Sequence, residues 1–237
     1  MKKIALFIFV LQLPIFSYTQ TAPSHLKYWG YAIVDCLFDD PHDSGNNTNY
    51  ITEVDTFSNL AQMCIYSPTD NIINRVNLMN NHCVNPIVHI QSIFYEIVGT
   101  NASSGEEYGL ISNHISRWNS FKTTNSSVLN KSHIGAFYIS DEPFWNGLTY
   151  QDLKTVSDLI KLDYPDIPIM IIEASGALSN LQIPTTVDWI GFDNYGIFDP
   201  SSDPGFLADL ALLKTKKSRI NQKLFRVTSK SMGRLLN

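Results

Sequence analysis

Three apolar runs in this chain end in carboxylates, a placement suited to proton transfer. GAFYISDEPFW (Gly135 to Trp145) closes on Asp141 and Glu142, PIMIIEAS on Glu173, and DWIGFDNYG on Asp193. Two carboxyl groups flanking a bound sugar can break an O-glycosidic bond. One protonates the leaving oxygen while the other attacks carbon or activates water, at separations of about 5 Å or about 6.5–9.5 Å respectively. Glu142 is the best proton donor, because Pro143, Phe144 and Trp145 can shield it from water and desolvation raises a carboxyl pKa. The competing reading has Asp141 capping the following loop and Glu142 paired with a Lys or Arg. Asp193 reads equally as a hydrogen-bonded strand-end carboxylate. Glu173 follows a segment apolar on both sides, so its register stays open.

Substrate-binding candidates surround these acids. Trp145 and Tyr195 follow two of the strand ends, where aromatic rings can pack on the C–H faces of sugars, and Asp141 adjoins the proton donor. Gln62, His89 and Gln91 fall on the polar side of two further strands. The loop DCLFDDPHDSGNN carries Asp35, Asp39, Asp40, His42 and Asp43. Its spacing does not match a calcium loop, and it reads as a solvated turn. No close His pair supports metal-dependent hydrolysis and no glycine-rich phosphate fingerprint follows the first strand, so no cofactor is expected.

The elements that position these residues alternate in type. Strand patterns cover Tyr28 to Val34, Asn59 to Tyr66, Pro86 to Ser92, Ile134 to Ser140, Ile167 to Ile172, Asp188 to Phe192 and Lys223 to Val227. Between them, Asp70 can cap a helix through Ile73, Val76 and Met79. Ser104 with Glu107 forms a capping-box pattern before Leu110 to Phe121, and Thr149 with Asp152 another before Leu153 to Leu162. A last helix covers Phe206 to Lys217. Strands separated by helices of this length pair in parallel through right-handed crossovers, so the fold class is α/β. Four strands carry polar groups on one side only, as barrel interiors do toward their C-terminal ends. Alternation places Tyr138, Ser140 and Glu142 inside and Asp141 outside; Gly191, Asp193 and Tyr195 share the other inward row. This favours a (β/α)8 TIM-type barrel of about seven strands over a doubly wound sheet. Trp29 reads as part of a strand packed throughout.

At 237 residues, 44% apolar and 16% charged, the chain suits a single domain. A net charge of −5 without a basic cluster argues against nucleic acid; the run Lys214, Lys216, Lys217 and Arg219 suits the solvated last turn of a helix. Lys2 and Lys3 precede an apolar stretch from Ile4 to Phe16 with small residues before Gln20, the pattern of a cleaved signal over residues 1–19. The mature protein, residues 20–237, is then expected to be secreted, periplasmic or at the cell surface, monomeric and without a membrane span. Cys36, Cys64 and Cys83 leave at least one thiol unpaired within the chain. Cys36 and Cys64 can pair on neighbouring strands, or both stay buried thiols.

SDEP (Ser140 to Pro143) resembles the acid motif of the (β/α)8-barrel glycoside hydrolases, whose larger clan ends its fourth strand in Asn-Glu-Pro. DWIGFDNYG is similar to their sixth-strand segment ending in Tyr. The similarity in strand spacing runs from about Tyr28 to Phe225. It implies Glu142 as acid/base, Tyr195 in the substrate site and an oligo- or polysaccharide substrate. One departure stands out: the clan places its nucleophile, a Glu, after the seventh strand, and KLFRVTSKSMGRLLN holds no acid. Three readings follow: a truncated or frame-shifted hydrolase, a variant using Asp193 or Glu173, or a non-catalytic carbohydrate-binding relative. An incomplete barrel exposes two strand edges that proteins ordinarily cover, which favours the first.

Overall fold

Two apolar rows on opposite faces of the strands decide the architecture. The structure, a computed structural model, describes residues 27–41, 45–217 and 222–226. In chain order its elements are β1 (Gly30–Asp35), α1 (Ile51–Val54), β2 (Leu60–Cys64), α2 (Ile73–Asn81), β3 (Asn85–His89), α3 (Gln91–Phe94), β4 (Tyr95–Gly99), β5 (Glu107–Leu110), α4 (His114–Asn125), β6 (Ala136–Asp141), α5 (Tyr150–Asp163), β7 (Ile169–Ala174), β8 (Trp189–Asp193), α6 (Pro204–Lys216) and β9 (Lys223–Arg226). Seven strands in the order β1-β2-β3-β6-β7-β8-β9, every neighbouring pair parallel, curl into an incomplete barrel of the (β/α)8 type. All seven strands expected from the sequence are present.

The outer row meets the helices. Met63, Val88, Phe137, Ile139, Ile169, Ile171, Ile190 and Phe192 pack against Val76, Met79, Trp118, Phe121, Val156, Ile160 and Phe206 in one buried cluster. The inner row is separate: Leu60, Ile87, Ala136, Tyr138, Met170, Ile172 and Trp189 fill the barrel floor, with Tyr28 packed on them. The Tyr28 and Trp189 rings stand 5.0 Å apart. Burying each such side chain contributes about 1.5–3 kcal/mol, so both faces of the sheet are anchored.

Local details depart from the sequence expectation in several places. Glu107 belongs to β5, not to a helix start, and pairs antiparallel with β4 as Gly99↔Glu107. Ser104 lies in the connecting turn, and the helix begins only at His114. The misread capping box arose because Glu107–Leu110 is a four-residue strand, too short to display alternation. Asp70 does not cap α2; its carboxylate accepts from Tyr66 N (2.8 Å) and Ser67 N (3.0 Å) in the turn before it. The third strand ends at His89, and Gln91 opens α3. Trp29 is 42% exposed rather than packed, beside the similarly exposed Tyr31 and Ile33, because β1 is an edge of the sheet.

Other features follow the sequence. Thr149 and Asp152 form the reciprocal capping box that starts α5. Asp203 caps α6, with Pro204 at its first position. Gly30 is required where β1 meets β2, since a Cβ there would lie 1.6 Å from the Leu60 carbonyl oxygen. Cys36 and Cys64 form a disulfide, and Cys83 is a free, exposed thiol. Asp35 is no part of a solvated turn: it is buried and ion-paired with Arg75 at 2.8 Å. The expected signal segment, His42, Asp43, Arg219 and Val227 lie outside the described residues.

Candidate active site

The acid motif is shaped by an irregularity in β6. Tyr138 pairs with Met170, but Ser140 pairs with Ile171 and Asp141 with Ile172, so the strand carries one extra residue relative to β7. Such a bulge exchanges the faces of everything beyond it. Asp141, expected outside, therefore joins the inner row, where its Oδ1 accepts a hydrogen bond from the Tyr138 hydroxyl. Its own N–H donates to Gln91 Oε1 at 2.7 Å. Glu142 takes the left-handed backbone region at φ 46°, which few non-glycine residues occupy.

That conformation turns Glu142 over the end of β8. Its carboxyl lines one cleft with that of Asp193, near enough for each to shift the pKa of the other, and Asp193 Oδ2 accepts from the Tyr195 hydroxyl at 2.8 Å. Burial, then the charges of Asp193 and Asp141, raise the Glu142 carboxyl to about 7. Burial also raises Asp193, opposed by the hydrogen bond from Tyr195. Glu142, raised to about 7, is a carboxyl that can still carry a proton near neutrality. The Tyr195 hydroxyl is pushed up by burial and by Asp193, so it stays a donor.

These residues open on a cleft of about 330 Å³ lined by Glu142, Trp145, Ala174, Ser175, Gly176, Asp193, Asn194 and Tyr195. Trp145 lies against Gly176 so closely that a Cβ there would sit 2.9 Å from its Cζ3. On the opposite wall, Ser175 Oγ and Asn194 Nδ2 both donate to Asp209 Oδ2, at 2.6 and 3.1 Å. Tyr195 and Phe198 are exposed beside the cleft.

Glu173 has a different environment. Its side chain shares the outer row with Ile169 and Ile171, is completely buried, and accepts from three backbone amides: Phe144 (2.9 Å), Trp145 (3.1 Å) and Ala174 (3.0 Å). Burial raises it to about 7 against those three bonds. It does not line the cleft.

Nor do Gln62, His89 and Gln91, which form a hydrogen-bonded row beneath it. Gln62 Oε1 accepts from Ile33 N, where β1 is irregular, while its Nε2 meets His89 Nδ1 at 3.1 Å. His89 Nε2 then faces Gln91 Oε1, the acceptor of the Asp141 amide. Burial lowers the His89 pKa, and its ring stacks on Tyr138 at 4.3 Å. A neutral His89 accepting at Nδ1 and donating at Nε2 suits this row. Sequence reasoning missed Ser175, Asn194 and Asp209, since a lone Ser, Asn or helical Asp carries no motif. Their proximity to strand ends was the available signal.

No family model matches the sequence, and no curated protein matches it. Among solved structures the chain is similar to Gas2 of Saccharomyces cerevisiae, a barrel-type glycoside hydrolase. The complex of Gas2 with compound 9 superposes with a TM-score of 0.51 at 10% identity, over 78% of this chain and 44% of Gas2. The complex with compound 11 gives 0.52 at 10% identity, over 78% and 44%. At that identity the likeness concerns the fold. The chain matches less than half the length of these Gas2 chains.

Proposed function

We propose that this chain, built on a barrel of the glycoside hydrolase type, is an exported, monomeric protein that cleaves O-glycosidic bonds of an oligo- or polysaccharide with Glu142 as proton donor. The observation that carries this reading is that two carboxyls, Glu142 and Asp193, line one cleft at the ends of the barrel strands beside Trp145 and Tyr195. As the C–O bond breaks, its electron pair goes to the leaving oxygen, which takes the Glu142 proton. Asp193 stabilises the positive charge that develops at the sugar; water then forms the new C–O bond and gives its proton to the Glu142 carboxylate, which restores the acid.

The experiment is Glu142→Gln assayed on a panel of activated aryl glycosides. The variant is expected to lose about 10²–10⁴-fold in kcat, the usual contribution of a positioned acid, with an unchanged circular dichroism spectrum. An unchanged rate removes Glu142 from the mechanism. The aromatic rings of Trp145 and Tyr195 in the cleft lining also suit a second reading, a non-catalytic carbohydrate-binding protein. Calorimetric binding of an oligosaccharide without turnover, unaltered by Glu142→Gln, would select it.

A further inference from the structure

Two consecutive amides of the segment that carries the proton donor end on one buried acid from another strand. Glu142 N donates to Ile172 O at 2.7 Å and Pro143 has no N–H. The next two amides, Phe144 and Trp145, both end on the Glu173 carboxylate, which also binds its own neighbour Ala174. The carbonyls of the same segment are taken by the β4–β5 hairpin, Ser104 N to Trp145 O and Tyr108 N to Asn146 O at 2.8 Å. Glu173 is wholly buried and makes no ion pair among the described residues. A buried, cation-free carboxylate is costly, and its three amide partners account for its presence here. Without it, the Phe144 and Trp145 amides would lose the acceptor they have among the described residues.

We propose that Glu173 is a positioning residue: it fixes Glu142 in its left-handed conformation and Trp145 as the wall of the cleft, and touches neither substrate nor the reacting atoms. This rests on the hydrolase reading above. The required group is a carboxylate rather than any acceptor, because donors approach both oxygens. A carboxamide would set its NH2 against either Phe144 N–H or the N–H groups of Trp145 and Ala174.

Two readouts test it on Glu173→Gln. Amide hydrogen exchange resolved at Phe144 and Trp145 should accelerate at least about tenfold, with the outer strands unchanged. In the same variant kcat should fall about 100-fold with KM within about threefold, the cost of a small displacement of a catalytic group. The basic limb of its kcat/KM profile should also move to lower pH. Glu173 is one of the charges that raise Glu142, alongside Asp193 and Asp141; Tyr138, Tyr195 and the neutral His89 complete the titratable surroundings. A merely structural role would reduce the amplitude and leave the limb in place.

Folded Glu173→Gln with wild-type exchange at both amides overturns the proposal, whatever its activity. If the variant does not fold, the wild-type protein decides. Both amides should exchange at least about 100-fold slower than their intrinsic rates, as expected of amides bonded to a buried carboxylate; exchange of either at its intrinsic rate overturns the proposal. A wild type that hydrolyses no glycoside removes the hydrolase reading, while the exchange result still shows whether Glu173 holds the turn.

Discussion

At the level of single residues, Glu142 depends on its neighbours for its proton. After burial, the charge of Asp193 is the largest cause that holds the Glu142 pKa up. Asp193→Asn keeps the shape and removes the charge, so the Glu142 pKa should fall from about 7. A fall of about one unit moves the basic limb of kcat/KM to lower pH by the same amount. At pH 8 the protonated fraction, and the rate through it, should drop about tenfold. A pH–rate series on an activated aryl glycoside measures this; a limb that stays at about 7 would show that Asp193 does not set the donor. The acids themselves, with Trp145 and Tyr195, were legible in the sequence because each follows a strand pattern. Which of Asp141 and Glu142 faces inward was not, because Ile139 and Ser140 satisfy either register and a bulge leaves no mark in the alternation of side chains. His89 and Gln62 lie on strands as read, Gln91 opens α3 instead, and all three spend polar atoms on one another and on backbone.

Among the elements, the parallel strands were readable and the β4–β5 hairpin was not. Strands buried on both faces are rich in Ile, Val and Phe, a signal that survives short length, as in Ile169–Ala174. The hairpin is a two-stranded pair with exposed Ile97 and Val98, and its capping-box look-alike outweighed its weak alternation. It matters to the site, since its backbone holds the carbonyls of Trp145 and Asn146. The 3-10 turn Ser175–Ala177 after β7 matters equally, because Gly176 leaves the space that Trp145 fills. Gly176→Ala should push the indole outward at a stability cost below about 1.5 kcal/mol, since the ring edge can yield. If Trp145 lines the sugar site, KM should rise about tenfold with kcat changed less, read from initial rates. An unchanged KM would take Trp145 out of substrate binding.

For the molecule as a whole, the disulfide and the buried acids set how stability responds to conditions. Cys36 and Cys64 close a loop with a sequence separation of 28, for which the chain-entropy estimate is about 3–4 kcal/mol. Replacing both by Ser should lower Tm by about 10 °C in a domain of this size, measured by calorimetry; an unchanged Tm would mean that the bond adds nothing. The acids act with the opposite sign to ordinary ion-paired carboxylates. Glu142 and Glu173 are raised from 4.5 to about 7, so folding takes up protons in that window. Their favourable contribution is complete below about 4.5 and is lost as pH rises through 7. The left-handed backbone of Glu142 adds to this tension, because Gly or Asn would occupy φ 46° at less cost. If Glu142 is the proton donor proposed above, heat resistance and catalysis make contrary demands on position 142. A lineage or library sorted on thermal survival alone would drift away from Glu there, and its hardiest members would be the ones that had ceased to be enzymes.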